Sequence, residues 1–265
     1  MTDWRPVSGL DTARLRAFLL SRARRYFGEL GILEVDVPAL ANATATDPNI
    51  ESFSVGGDAF LQTSPEAYMK RLLAAGYPDI YSICRVFRQG ETGRRHLREF
   101  SLVEWYRLGF DLEAIIADTV SFIAAVLDRE ALVETATIHD YCDVFRQTLN
   151  VDPLTADIGD LAGAAEADDA LRRSMASDRD AWLDLLLATR IAPEFNERGL
   201  TVLCNFPASQ ASLARLSPTD ATVAERFEVF LGDVELANGF VELTDADEQA
   251  LRMDRDIDRR KALGR

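Results

Sequence analysis

Apolar positions recur at helical spacing between Asp11 and Leu30, where Leu15, Phe18, Leu19, Tyr26, Phe27 and Leu30 form one stripe. Asp11 is placed to cap this helix and Gly31 to stop it, and the stripe predicts packing on a sheet. The period changes to two at Leu33–Val37, and Pro38 ends a strand that lies at a sheet edge or an oligomer interface. After a small polar loop over 41–47, Ser52–Val55 and Ala59–Gln62 flank Gly56-Gly57-Asp58 as a hairpin. Ser64 reads as an N-cap with Pro65 in the first helical position, opening a helix that ends near Gly76. Ile80–Phe87 and Phe100–Tyr106 follow as two antiparallel strands joined by a long loop dense in arginine and glycine.

The second half reads as a helix over Asp111–Asp128, another over Thr137–Leu149 closed by Asp152-Pro153, short helices at best over 155–177, and a clear helix over Asp180–Ile191. Leu200–Phe206 is a strand ended by Pro207. Arg226–Leu231 and Val234–Phe240 flank Gly232-Asp233 as a second long hairpin, and Asp245–Leu263 is a charged helix. No repeat, low-complexity tract or linker divides the chain, which predicts a single α+β domain over 1–265, an antiparallel sheet flanked by helices.

Chemistry enters where this patterning is broken. The loop between the central strands suits a nucleotide triphosphate. Along the second strand Phe100, Leu102, Glu104 and Tyr106 share one face. A carboxylate among apolar and aromatic neighbours is costly without a partner, so Glu104 calls for a cationic ligand or an arginine. Glu66, in the first turn of its helix, is accounted for by the helix dipole alone. In the second hairpin a two-residue turn sets Phe230 opposite Glu235, so Glu228 and Glu235 lie on the same face. They are either two solvated glutamates or a site for a divalent cation. Strict alternation cannot bring Glu235, Asn238 and Glu242 together, and Asn238-Gly239 is where a bulge could shift the period.

Charge narrows the partners. With 44 acidic and 29 basic residues the net charge is −15, which disfavours tRNA or duplex DNA and suits a cationic partner. Cys84, Cys142 and Cys204 stand far apart, without metal or disulfide spacing. With no basic-then-apolar leader and no membrane-length apolar run, the chain reads as cytoplasmic.

Phe87-Arg88, the arginine-rich loop, His96, Glu99-Phe100 and Glu104-Trp105-Tyr106 resemble motif 2 of class II aminoacyl-tRNA synthetases, and Gly31–Pro38 resembles motif 1, whose proline lies at a dimer interface. Thr63-Ser64-Pro65-Glu66, Phe206-Pro207-Ala208-Ser209-Gln210 and Glu235-Leu236-Ala237-Asn238-Gly239-Phe240 resemble a narrower group, the short lysyl-tRNA synthetase paralogues that attach (R)-β-lysine to elongation factor P. The resemblance implies ATP and Mg²⁺ as cofactors, lysine or β-lysine and elongation factor P as substrates, and a homodimer. It implies that Arg88, Glu91, His96, Phe100, Glu228, Glu235 and Leu236 bind ATP, with Arg88 and Glu235 catalytic and Glu228 and Glu235 holding the metal. It implies that Ser64, Pro65, Glu66, Glu104, Tyr106, Asn238 and Glu242 receive the amino acid, which replaces the dipole account of Glu66.

The sequence departs from that pattern at Gly90, where the family commonly has glutamate; Glu91 stands next to it and can take over. Leu97 replaces an asparagine frequent after the histidine. Motif 3, the glycine-rich strand and helix whose arginine clamps the γ-phosphate, is expected after the last helix and is missing before Arg265. No anticodon-binding domain is expected, since about 10 residues precede the first helix. Two other functions stand beside the ligase: a lysyl-tRNA synthetase-like enzyme, and a non-catalytic paralogue that binds lysine or adenylate.

Overall fold

The computed structural model describes residues 5–43, 45–93 and 95–264; Thr44 of the 41–47 loop and Arg94 of the arginine-rich loop lie outside the described residues. Two compact units result, Met1–Gly109 with Ala250–Arg265, and Phe110–Gln249.

The first unit opens with α1 (Leu10–Glu29). Its cap is Gly9 in extended backbone without a side-chain bond, which corrects the expectation for Asp11; that carboxylate sits in the first turn, where it still meets the helix dipole. Only part of the apolar stripe is covered. Phe27 is fully buried, stacked 4.3 Å from Tyr81 and tilted 5.6 Å from Trp105, whereas Leu15, Phe18 and Leu30 are exposed. β1 shrinks to Leu33–Glu34, parallel to Ile80–Tyr81 at the edge of its sheet, with one further bond from Val35 N–H to the Tyr81 carbonyl.

β2 (Leu40–Ala41), β3 (Ser54–Val55) and β4 (Ala59–Leu61) form a small sheet in the order β2-β4-β3. Gly56 and Gly57 turn the chain between β3 and β4 at positive φ, 66° and 93°, the conformation glycine takes without a Cβ clash. In α2 (Glu66–Ala74) Pro65 occupies the cap position in helical geometry, and Ser64, one residue earlier, still accepts the Glu66 N–H at 3.0 Å. β5 (Ile80–Phe87) and β6 (Glu99–Tyr106) pair antiparallel over their full length, from Ile80↔Tyr106 to Phe87↔Glu99.

The second unit begins with α3 (Leu112–Leu127), whose ends follow the sequence: Asp111 accepts the Ala114 N–H and Asp128 closes the helix in the left-handed conformation. After the short α4 (Ala131–Glu134), the expected helix over Thr137–Leu149 divides in two. Thr137–Asp140 is β7, and only Tyr141–Leu149 is helical, as α5. Asp140 makes the division, because its carboxylate accepts the N–H groups of Cys142 and Asp143 and so fixes the helix start behind it. α6 (Ile158–Ala164), α7 (Asp169–Met175) and α8 (Arg179–Leu186) follow, α8 running on as a π-helical turn over Leu187–Ile191.

β8 (Leu200–Pro207), β9 (Val223–Leu231) and β10 (Val234–Phe240) complete a four-stranded sheet in the order β10-β9-β8-β7, antiparallel except between β7 and β8. Alternation along β8 and β9 gives each face its own core. Leu200, Val202, Phe227 and Val229 pack with α3, while Leu203, Phe206 and Phe230 pack with α5, α6 and α8. α9 (Ala246–Ala262) closes the described chain.

Candidate active site

In the first unit β5 and β6 carry the loop and the face that the sequence singled out. Arg88 leaves β5 with its N–H bonded to the Arg98 carbonyl at 2.9 Å, and its guanidinium lies 5.2 Å over the Phe100 ring. Its Nε donates to the Thr63 carbonyl at 3.3 Å. Glu91 stands between Arg88 and His96, 3.9 Å from the first and 3.8 Å from the second. Arg88, Glu91, His96 and Phe100 are therefore one cluster, and Glu91 takes the place beside the arginine that Gly90 cannot. A cleft of about 290 Å³ opens there, lined by Asn49, Ile50, Glu51, Arg88, Gly90 and Glu91. Arg260 of α9 donates to the carbonyls of Asp47 and Ile50 at 2.7 and 2.8 Å and so holds the segment that forms one wall.

Among the described residues, Glu104 has no arginine as a hydrogen-bond partner. Tyr106 and Ser64 donate to its two oxygens, each at 2.7 Å. Burial, reinforced by the neighbouring Glu66, pushes its carboxyl up to about 7 against those two hydroxyls and Lys70. Ser64 thus bonds both residues, donating to the Glu104 carboxylate while accepting the backbone N–H of Glu66. Lys70, one turn along α2, pairs with Glu66 at 2.6 Å. Pro65, between Ser64 and Glu66, is buried. The alternation rule located Glu104 beside Tyr106, while Glu66 came from the family resemblance; Lys70 was missed, although its four-residue offset from Glu66 on a helix was the signal.

In the second unit Glu235 pairs with Phe230 as expected, and a bulge follows. The irregularity falls between Glu235 and Ala237, not at Asn238-Gly239, so Leu236 is the extra residue and is exposed. Gly239 is needed for a different reason: a Cβ there would come within 2.5 Å of the Phe227 ring. Because of the bulge Asn238 stands opposite Glu228, which puts Glu228, Glu235 and Asn238 on one face. Glu242 follows β10, its backbone bridged to Ala214 and its side chain partly buried.

Glu228 is buried, and desolvation, with Glu235 and Asp184 nearby, raises its carboxyl despite Arg226. Arg226 is a residue of this face that the sequence analysis did not single out. It donates to Glu228 Oε1 at 2.5 Å, and the two-residue offset along one strand was the available signal. Among the described residues no group of three or more His, Cys, Asp or Glu side chains could hold a metal ion. The pair Glu228 and Glu235 nevertheless fits Mg²⁺, which takes one or two protein carboxylates and keeps water and phosphate ligands, and Arg226 engages only one Glu228 oxygen.

The first unit thus groups Arg88, Glu91, His96 and Phe100 beside a cleft lined in part by Arg88 and Glu91, and the second presents Glu228 and Glu235 on one face of its hairpin. Residues 2–262 match the family described as class II tRNA synthetases (D, K and N), and the chain belongs to that family. More particularly, it is 41% identical over 99% of its length to the elongation factor P–(R)-β-lysine ligase of Erwinia tasmaniensis, covering 82% of that protein. It is 42% identical over 100% of its length to the ligase of the same name from Edwardsiella ictaluri, covering 83%. For that of Photorhabdus laumondii the identity is 41% over 99% of this chain and 82% of the relative. No helix among the described residues is long and apolar enough to cross a membrane.

Proposed function

We propose that this chain uses ATP to activate lysine or (R)-β-lysine as an adenylate and transfers it to a lysine side chain of elongation factor P. The observation that carries this reading is the pocket of Glu66 and Glu104, two carboxylates on adjoining elements, of which Glu104 is desolvated and held by neutral hydroxyls. Lys70 already balances Glu66, and a substrate ammonium group supplies the charge that Glu104 does not find in its two neutral hydroxyl partners. Arg88 grips the α-phosphate, a bidentate task for a guanidinium, and Phe100 beneath it stacks on the adenine. His96 and Glu91 border the outer phosphates. Glu228 and Glu235 hold Mg²⁺, which supplies positive charge to the phosphates. Leu236, exposed at the bulge, lies against the nucleotide.

Glu66 meets the amine nearer the substrate carboxylate, Glu104, Tyr106 and Glu242 the distal one, and Asn238 orients the molecule. The two units act as one catalytic domain, consistent with a single family match across both. Two copies form a homodimer in the cytoplasm, the exposed Leu15, Phe18, Leu30 and Leu33 at its interface.

Pyrophosphate exchange dependent on lysine and on β-lysine tests the first half-reaction, and labelling of elongation factor P against tRNA tests the second. Exchange followed by labelling of the factor is expected. Exchange with transfer only to tRNA would replace the ligase by a lysyl-tRNA synthetase-like enzyme, and binding without exchange would leave a non-catalytic paralogue.

A further inference from the structure

Arg226 sits at the centre of the second unit's site face. Its guanidinium lies 4.4 Å over the Phe206 ring. From there Nη1 donates to the Gln210 carbonyl at 2.8 Å, Nη2 to Glu228 Oε1 at 2.5 Å, and Nε to Asn238 Oδ1 at 3.3 Å. A guanidinium carries five donors and no acceptor, so the amide atom that faces it must be the oxygen. This settles an orientation that the shape of an amide leaves ambiguous. Asn238 is exposed at the strand surface, and with its oxygen taken its free group is NH₂, a donor of two hydrogen bonds.

A donor of that kind cannot serve an ammonium group, but it can serve a carboxylate. We propose that Arg226 is a positioning residue for amino-acid recognition: by holding Oδ1 of Asn238 it turns the amide NH₂ outward to receive the carboxylate end of the substrate. The inference rests on the reading above that the chain binds a lysine-type amino acid, and it concerns the carboxylate end of that molecule alone: the carboxylate goes to an amide whose direction is imposed by an arginine that does not itself touch the substrate.

The test compares L-lysine with cadaverine, which keeps both amines and lacks the carboxylate, by titration calorimetry on the full chain without nucleotide. Arg226→Gln, whose side chain can both donate and accept, releases Asn238 to either orientation. Lysine affinity is expected to fall about tenfold, the equivalent of one charge-assisted hydrogen bond, while cadaverine affinity changes by less than about twofold. In an Asn238→Ala background the same substitution should add nothing to the loss for lysine. Arg226→Lys, which remains a pure donor, should recover part of it.

Asn238→Asp keeps an oxygen for Arg226 and removes the NH₂, so it carries the test if Arg226→Gln does not fold: lysine must weaken and cadaverine must not. Equal losses for the two ligands, or additive losses in the double variant, would overturn the positioning role and leave the proposed function standing. Failure of the unaltered chain to bind lysine or β-lysine would remove both.

Discussion

Replacing Glu104 by glutamine should stabilise the ligand-free protein in alkaline solution while removing its affinity for the diamine. The carboxyl sits at about 7 against an ordinary 4.5, because burial disfavours the charged form. At 1.36 kcal/mol per pH unit that gap sets a ceiling of about 3 kcal/mol. The sign follows from linkage: a group whose folded value is raised contributes stability that is complete below about 4.5 and lost as the pH rises through about 7. Glutamine has no such loss. It does put an NH₂ where the carboxylate has its second oxygen, so either the Ser64 or the Tyr106 hydroxyl must accept there instead of donating, at a pH-independent cost of about 1 kcal/mol.

The variant should therefore melt slightly below the natural chain near about pH 5 and above it near about pH 8, since only the charge term varies with pH. At about 2–4 °C per kcal/mol the swing is roughly 6 °C or more. Thermal melts of both chains across that range measure it. Adding lysine at the alkaline end should raise the melting point of the natural chain and leave the variant where it is. A melting-point difference that stays constant with pH would refute the reasoning, because it would mean that Glu104 is not held desolvated.

Arg88→Lys should lower pyrophosphate exchange by about 10²-fold or more, since an ammonium cannot grip a phosphate bidentately, with little change in melting temperature; equal exchange would remove Arg88 from the chemistry. Gly239→Ala forces a Cβ within 2.5 Å of the buried Phe227 ring and should destabilise by about 1–3 kcal/mol, read as a drop in melting temperature; an unchanged value would show that the ring can yield. Phe18→Arg on the exposed stripe of α1 should shift a dimer to a monomer in sedimentation, and a dimer unaffected by it would place the interface elsewhere.

Much of the site could be read directly, because period-two alternation in long paired strands is strict. It put Glu104 with Tyr106, and the two-residue turn at Gly232-Asp233 put Glu235 opposite Phe230, as found. What escaped the reading has physical reasons. β7 looked helical because Thr137–Asp140 is too short for a period, and only the side-chain bonds of Asp140 reveal where the helix begins. Arg226 was invisible because a chain with many arginines gives none of them weight until geometry shows which acceptors each one meets, whereas Lys70 was legible in its four-residue offset from Glu66 and was passed over. Arg260 holds the cleft wall from more than 200 positions away along the chain, a pairing no local pattern encodes.

The extra residue at Leu236 has a consequence for how this site can change. In an unbroken strand, side chains three positions apart point to opposite faces, so Glu235 and Asn238 are companions only because one position is spent out of register. Their partnership is therefore written in the length of β10 rather than in any one side chain. Removing a single residue there would turn Asn238 to the other face while leaving every functional amino acid in the sequence. A scan by substitution alone would report what the Leu236 side chain touches and never detect that the residue's presence, whatever its side chain, keeps the two halves of the hairpin in phase.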